Sequence, residues 1–126
     1  MEGKNKIQSF TDLEAWREGH QLVLMIYEIT RSYPKQETFG LVSQMRRSAV
    51  SITSNIAEGF SRQSWKEKTQ FYYVALASVT ELQNQLLISR DIHYLKNDTF
   101  QKAAERSVTV KKILSGLISK TKTRIQ

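Results

Sequence analysis

The length, composition and charge of the chain favour one globular domain over residues 1–126: it is 40% hydrophobic, with one proline, five glycines, no cysteine and a net charge of +7. The missing cysteines exclude disulfide frameworks and thiolate metal sites, and the lack of an apolar signal core or of a long apolar stretch predicts a cytoplasmic protein that spans no membrane. Residues 1–45 carry five basic and six acidic groups and residues 46–126 carry fourteen and six, which is typical either of a protein with a polyanionic partner or of one with a solvated basic face.

The first predicted helix spans residues 11–33, behind a short N-terminal arm. Thr11 to Glu14 fit a capping box, in which the Thr11 hydroxyl accepts from a backbone amide and Glu14 reaches back. Apolar side chains then recur at spacings of three and four as far as Tyr33. Pro34 ends the helix, because the residue before a proline is driven out of the helical region.

Three further helices follow at short intervals. The second is predicted over 39–60 with Gly59 as its terminator, the third over 64–91 behind another capping-box pattern at Ser64, and the fourth over 97–120 before a basic C-terminal tail. Short connections favour antiparallel neighbours. We therefore predict an all-α fold, an antiparallel up-down-up-down four-helix bundle.

Two of these helices carry more apolar surface than one bundle needs. The third helix has apolar residues on two flanks besides its core row, and the second has a row of small residues beside its core row. These features predict a subunit interface, whereas scattered apolar surface residues would need no partner. The predicted interface residues are Val50, Thr53, Ala57, Tyr73, Leu76, Ala77, Leu87 and Ile88.

Polar side chains border the core row of the second helix. Asn55 lies among apolar neighbours, where its amide either fixes the register of the helices or satisfies a loop carbonyl.

The stretch 44–60, QMRRSAVSITSNIAEGF, closely resembles the signature of a family of four-helix-bundle proteins encoded in intervening sequences of bacterial 23S rRNA genes. The flanking sequence matches as well, with FxDLxxW from Phe10, YPKxExFGL from Tyr33 and FxxxAxxSxxEL from Phe71. One departure is Thr53, where many relatives have proline.

The resemblance implies an antiparallel four-helix bundle assembled as a ring, a homopentamer. The family is also similar to the accessory variability protein of diversity-generating retroelements, a basic pentameric barrel that binds nucleic acid and a reverse transcriptase. This likeness implies a scaffold role without assigning one to particular residues.

Catalytic and metal-binding patterns are absent from the sequence. His20 and His93 are isolated from other metal-ligand side chains, and the glycines stand alone instead of forming a phosphate-binding loop. No pair of carboxylates has a reason for divergent pKa values. We therefore expect a protein that is not an enzyme and has no metal site and no cofactor.

The remaining candidate site is electrostatic. Five cations are expected to surround the junction of the second and third helices, and five more crowd the chain's end. Trp65, Tyr72 and Tyr73 are candidates to stack on bases or simply to pack. The predicted nucleic-acid-binding residues are Arg46, Arg47, Arg62, Lys66, Lys68, Lys111, Lys112, Lys120, Lys122 and Arg124.

The leading functional hypothesis is a homo-oligomeric, pentameric binding module for structured RNA or DNA, in which repeated basic surfaces add by avidity. The alternative is a protein-interaction scaffold for an acidic partner such as a nucleic-acid-processing enzyme.

Overall fold

Four α-helices account for most of the chain. The computed structural model describes residues 6–125, which contain no strand. The predicted all-α fold is confirmed, and each helix begins and ends within three residues of its expected position. None of the helices in this described part is long and apolar enough to cross a membrane. The helices are α1 (Glu14–Thr30), α2 (Leu41–Ser61), α3 (Trp65–Asp91) and α4 (Asn97–Lys122).

The expected capping box at Thr11 is wrong. The box forms two residues earlier, where Ser9 Oγ accepts from Thr11 N at 3.2 Å and Asp12 Oδ2 accepts from Ser9 N at 3.1 Å. It caps a 3-10 turn, and α1 begins only after the extended residue Leu13, without a side-chain cap. Hydrogen bonds from the backbone amides of Gln8 and Ser9 lower the pKa of the Asp12 carboxyl. The second predicted cap is present, since Ser64 Oγ accepts from Glu67 N at 3.1 Å.

The helices enclose one apolar core. α1 packs against α2 and α4, and α3 packs against the same two helices. Polar contacts fix the pairing of α2 with α3, because Ser51 and Ser78 hydroxyls lie 2.8 Å apart and Ser89 Oγ lies 3.5 Å from Met45 Sδ. These two helices therefore run in opposite directions. The largest fully buried side chains in the core are Tyr72, Leu22, Ile26, Met45, Ile52, Ile56, Leu82, Leu86 and Leu114.

Gly59 does not end α2, which continues to Ser61, so the prediction of a terminator is wrong. Gly59 is buried where α2 crosses α3, and a Cβ on it would lie 2.8 Å from Tyr72 Cε1. The missing side chain leaves the space that the Tyr72 ring occupies. Gly59 is therefore needed for close approach of two helices and not for a turn.

Asn55 serves neither of its two expected roles. Its Nδ2 donates to the Ser51 carbonyl at 2.8 Å and lies 3.1 Å from Ser51 Oγ. The amide is thus satisfied within α2 itself.

The turn after α3 uses an unusual residue. His93 has a φ of 68°, the left-handed conformation that normally favours glycine. Its amide donates to the Arg90 carbonyl at 3.0 Å, and the Tyr94 amide donates to the Ser89 carbonyl at 2.8 Å. This pair of bonds ends the helix and directs the chain into α4.

Candidate nucleic-acid interface

The two predicted basic segments meet at one end of the molecule. A cation from the start of α3 and one from beyond the end of α4 both lie beside the indole of Trp65. Its ring centroid is 5.6 Å from Lys68 Nζ and 5.1 Å from Arg124 Cζ. Lys122 Nζ lies 6.0 Å from the ring centroid of Tyr73, further along α3. We call this surface the basic end and define it by Arg62, Lys66, Lys68, Lys120, Lys122 and Arg124.

Arg46 and Arg47 do not belong to the basic end, so the expectation that they surround the α2–α3 junction is wrong. Arg62 follows Arg46 by sixteen positions, about 24 Å along the axis of α2. Arg46 Nε donates to Thr30 Oγ1 at 3.0 Å, where it satisfies the end of α1, and Arg47 Nη2 pairs with Glu81 Oε2 at 3.2 Å. Both guanidinium groups tie helices together.

Two cations of the basic end are also held by the fold. Arg62 Nη2 pairs with Glu58 Oε2 at 2.8 Å, and its guanidinium carbon lies 4.6 Å from the ring centroid of Phe71. Lys68 Nζ donates to the Phe60 carbonyl at 2.6 Å, which satisfies an acceptor in the last turn of α2. Burial lowers the pKa of the Lys68 ammonium. These charges contribute to the surface potential, but both already make polar contacts within the protein.

In the described part of the chain, the remaining predicted cations are exposed and make no polar contact with other side chains or with the backbone. Within residues 6–125 their side chains make no ion pair and no hydrogen bond to other protein groups, although Lys122 and Arg124 lie near aromatic rings. Exposed cations of this kind are the ordinary partners of phosphate groups. They are Lys66, Lys111, Lys112, Lys120, Lys122 and Arg124.

The lysines of α4 extend this surface along the helix. Lys112 and Lys120 line a groove against the start of α1, together with Leu13 and Leu117. Lys111 and Lys122 are eleven residues apart, a spacing that returns to the same helix face after about three turns. No acidic residue lies in the segment 106–126 to neutralise them.

Of the three aromatic candidates for base stacking, one is excluded. Tyr72 is only 2% exposed and is packed in the core against Gly59, and burial raises the pKa of its hydroxyl to about 12. Trp65 and Tyr73 remain accessible, at 40% and 45% exposure. Of the three candidates, these two can therefore meet a ligand.

At the opposite end of the molecule, several polar groups pair with each other. Tyr94 donates its hydroxyl to Glu37 Oε2 at 2.9 Å, and Leu41 N donates to Glu37 Oε1 at 3.1 Å. The hydrogen bond to Glu37 raises the pKa of Tyr94. Arg90 Nε pairs with Asp91 Oδ1 at 2.8 Å. The Arg90 charge is thus paired with a carboxylate, whereas Lys66, Lys120, Lys122 and Arg124 of the basic end make no ion pair within residues 6–125.

Neither histidine is part of a metal centre in the described residues. The His20 ring stacks on Trp16, with centroids 4.7 Å apart and planes 12° apart. His93 occupies the turn after α3. Across residues 6–125 no three histidine, aspartate or glutamate side chains come close enough together to hold a metal ion.

The predicted interface residues divide into an outer and an inner set. Val50, Tyr73, Ala77, Leu87 and Ile88 are exposed, and Ala57 is half-buried. Two predicted members face inward instead. Thr53 is 9% exposed, with its methyl 3.1 Å from where a Cβ on Gly19 would lie, and Leu76 packs against the core.

The sequence reasoning missed Phe39, the large apolar side chain with the greatest exposure among the described residues, which is 96% exposed in the connection between α1 and α2. The sequence pattern places it at the start of the second helix, whereas α2 begins only at Leu41. It also missed an apolar groove between α3 and α4, lined by Leu86, Leu87, Phe100 and Val108. The placement of Val108 outside the core row of α4 was the available signal for this groove.

These observations define the class of the protein: it is all-α, with four packed helices and one strongly basic end. The sequence model of the 23S rRNA-intervening sequence protein family matches residues 11–116. The chain belongs to this family. The expected family resemblance is therefore confirmed.

A similar fold is found in a crystal structure of a protein of unknown function from the S23 ribosomal protein family of Bacteroides thetaiotaomicron VPI-5482. The two chains superpose with a TM-score of 0.77 and share 21% sequence identity over 83% of this chain and 95% of that one. At this identity the similarity shows the fold alone. A comparison with curated proteins finds no match.

Proposed function

We propose that this protein is a non-enzymatic, homo-oligomeric module that binds the phosphate backbone of structured RNA or DNA with its basic end. The observation that carries the proposal is the convergence of cations from the start of α3 and the end of α4, where Lys68 and Arg124 both lie beside the Trp65 ring. Like charges brought together without acidic partners repel each other, which costs folding free energy. A polyanionic ligand would remove that repulsion.

Helix dipoles explain only part of this charge. Lys120 and Lys122 lie in the last turn of α4, where a cation is favourable. Lys66 lies in the first turn of α3, where the dipole opposes a positive charge, and it makes no ion pair. Its position therefore supports a ligand-binding role over a stabilising one.

The proposal predicts strong salt dependence of binding. In a mobility-shift titration with a labelled RNA hairpin, raising the salt concentration from about 50 to 200 mM is expected to weaken binding about a thousandfold or more, provided that several protomers together make six or more phosphate contacts. A DNA hairpin of the same sequence tests whether the sugar matters. No shift at low salt, or binding that ignores salt, would contradict the proposal.

The same cations would also attract an acidic protein, such as a nucleic-acid-processing enzyme. A pull-down from lysate treated with nuclease separates the two functions. Loss of the captured material after nuclease supports direct binding of nucleic acid, and an acidic protein retained after nuclease favours the scaffold.

We further propose that up-down-up-down bundles of this chain assemble head to tail into a ring, a pentamer by its family resemblance. Phe39 and the α3–α4 groove are the two apolar surfaces that we propose to meet between neighbouring copies. An isolated phenylalanine that is almost fully exposed gains free energy by burial in a partner. Contact between two different surfaces gives a ring when the rotation between neighbouring copies closes.

Substitution tests this assembly without disturbing the fold. Phe39→Ser removes a side chain with almost no contacts in its own chain, so the circular dichroism spectrum should stay unchanged while light scattering reports loss of the oligomer. Leu87→Glu should act likewise from the groove. Because each variant keeps one intact surface, mixing the two should restore pairs. Oligomers that survive both substitutions, or a wild-type protein that runs as a 14.6 kDa monomer, would refute the proposed interface.

A further inference from the structure

We propose that Trp65 is a stacking platform for an unpaired base, so that the preferred ligand is a nucleic acid with a loop, bulge or single strand beside its phosphates. The inference rests on the proposed function and narrows its ligand class. Continuous duplex offers phosphates to the basic end but keeps its bases stacked on each other.

The indole projects from an ordered helix turn and is open to solvent. Trp65 is the first residue of α3, and the cap formed by Ser64 Oγ and Glu67 N orders that turn. The side chain remains 40% exposed although it is a large aromatic group, which proteins normally bury or use in recognition. An accessible ring on an ordered turn can stack on a base without the cost of ordering the backbone.

Arg124 covers part of this ring and can be displaced from it. It lies beyond the last residue of α4, its guanidinium carbon is 5.1 Å from the indole centroid, and within residues 6–125 its side chain makes no hydrogen bond or ion pair. An exposed cation–π contact is weak, whereas a guanidinium binds phosphate through two charge-assisted hydrogen bonds. A phosphate can therefore draw Arg124 away and expose the indole.

Lys68 behaves differently, although it is also near the ring. Its ammonium is anchored to the Phe60 carbonyl at 2.6 Å and stays beside the indole, 5.6 Å from the centroid. A base that replaces Arg124 would thus stack next to a fixed positive charge, which favours an adjoining phosphate. The arrangement couples backbone binding by Arg124 to base stacking on Trp65.

Tryptophan fluorescence gives a direct test, because the chain has only two tryptophans. In a Trp16→Phe variant the emission comes from Trp65 alone. An RNA hairpin with an unpaired loop, the DNA hairpin of the same sequence and the blunt duplex of the same stem are titrated in turn. We expect quenching by the hairpins and none by the duplex. Quenching by RNA alone would assign the ligand to RNA, and quenching by both would assign it to unpaired bases in general.

Affinity gives the second readout. Trp65→Leu keeps an apolar side chain but removes the ring, and it should weaken hairpin binding about tenfold while leaving duplex binding unchanged. Hairpin and duplex bound equally, with Trp65 unquenched and Trp65→Leu without effect, would overturn this inference alone. Failure of all three nucleic acids to bind would overturn the proposed function itself.

Discussion

Replacing Gly59 with alanine is expected to lower the free energy of unfolding by about 1–2 kcal/mol, even though alanine favours helices by about 1 kcal/mol over glycine. The added Cβ would lie 2.8 Å from Tyr72 Cε1 and 3.0 Å from Phe71 Cβ. The Tyr72 ring is enclosed by the core and cannot turn aside, so α2 and α3 must move apart at their crossing.

Gly116 provides the matched control. It is also inside a helix, but a Cβ on it meets nothing within 4 Å. Gly116→Ala should therefore raise the free energy of unfolding by about 0.5–1 kcal/mol. Urea unfolding followed by circular dichroism measures both, at one protein concentration because association adds to apparent stability. Equal stabilisation by the two substitutions would show that the α2–α3 contact at Gly59 is not tight.

The fold was predictable where the signal is local. Helical periodicity places the core side chains, and a capping serine at Ser64 marks the start of α3. The errors arose where two local signals competed. The pair Ser9 and Asp12 matches the capping-box pattern, and so does the pair Thr11 and Glu14. The pair Ser9 and Asp12 forms the box, in a segment that packs against α1 and α2.

Gly59 and His93 show a second limit of sequence patterns. A glycine near the end of a helix predicts a terminator, yet the glycine serves a helix crossing that depends on Tyr72, a residue of the next helix. The left-handed turn falls instead on His93, a residue type that gives no such signal. Both assignments depend on contacts between elements.

The sequence predicts that the candidate site is made of basic residues, but it does not predict where in the fold they meet. The uneven charge identifies the basic segments, and the residues of α4 follow directly from it. Arg46 and Arg47, although expected in the same cluster, are used elsewhere. Arg46 donates to the Thr30 hydroxyl of α1, and Arg47 pairs with the Glu81 carboxylate of α3. The meeting of Lys68 and Arg124 at one indole requires the ends of α3 and α4 to lie side by side, which no spacing within either helix encodes.

Neutralising three free lysines of the basic end should have the largest effect on binding. The triple variant Lys66→Gln, Lys120→Gln and Lys122→Gln is expected to bind an RNA hairpin at least about tenfold more weakly, with a salt dependence reduced by about three phosphate contacts per chain. All three side chains are exposed and unpaired in the described residues, so stability should change little.

A second triple variant separates local contact from overall charge. Lys35→Gln, Lys96→Gln and Lys102→Gln removes the same net charge from exposed lysines toward the opposite end of the molecule. Lys102 and Lys120 are eighteen residues apart on α4, about 27 Å. Long-range attraction should weaken similarly in both variants, and direct phosphate contact should be lost only in the first.

The comparison of these two variants in a salt titration against one RNA hairpin tests the role of the basic end most directly. The slope of log affinity against log salt should fall for the Lys66, Lys120 and Lys122 variant and stay at the wild-type value for the other. Equal slopes in the two variants, or a larger loss from the opposite end, would contradict the assignment of nucleic-acid binding to this surface.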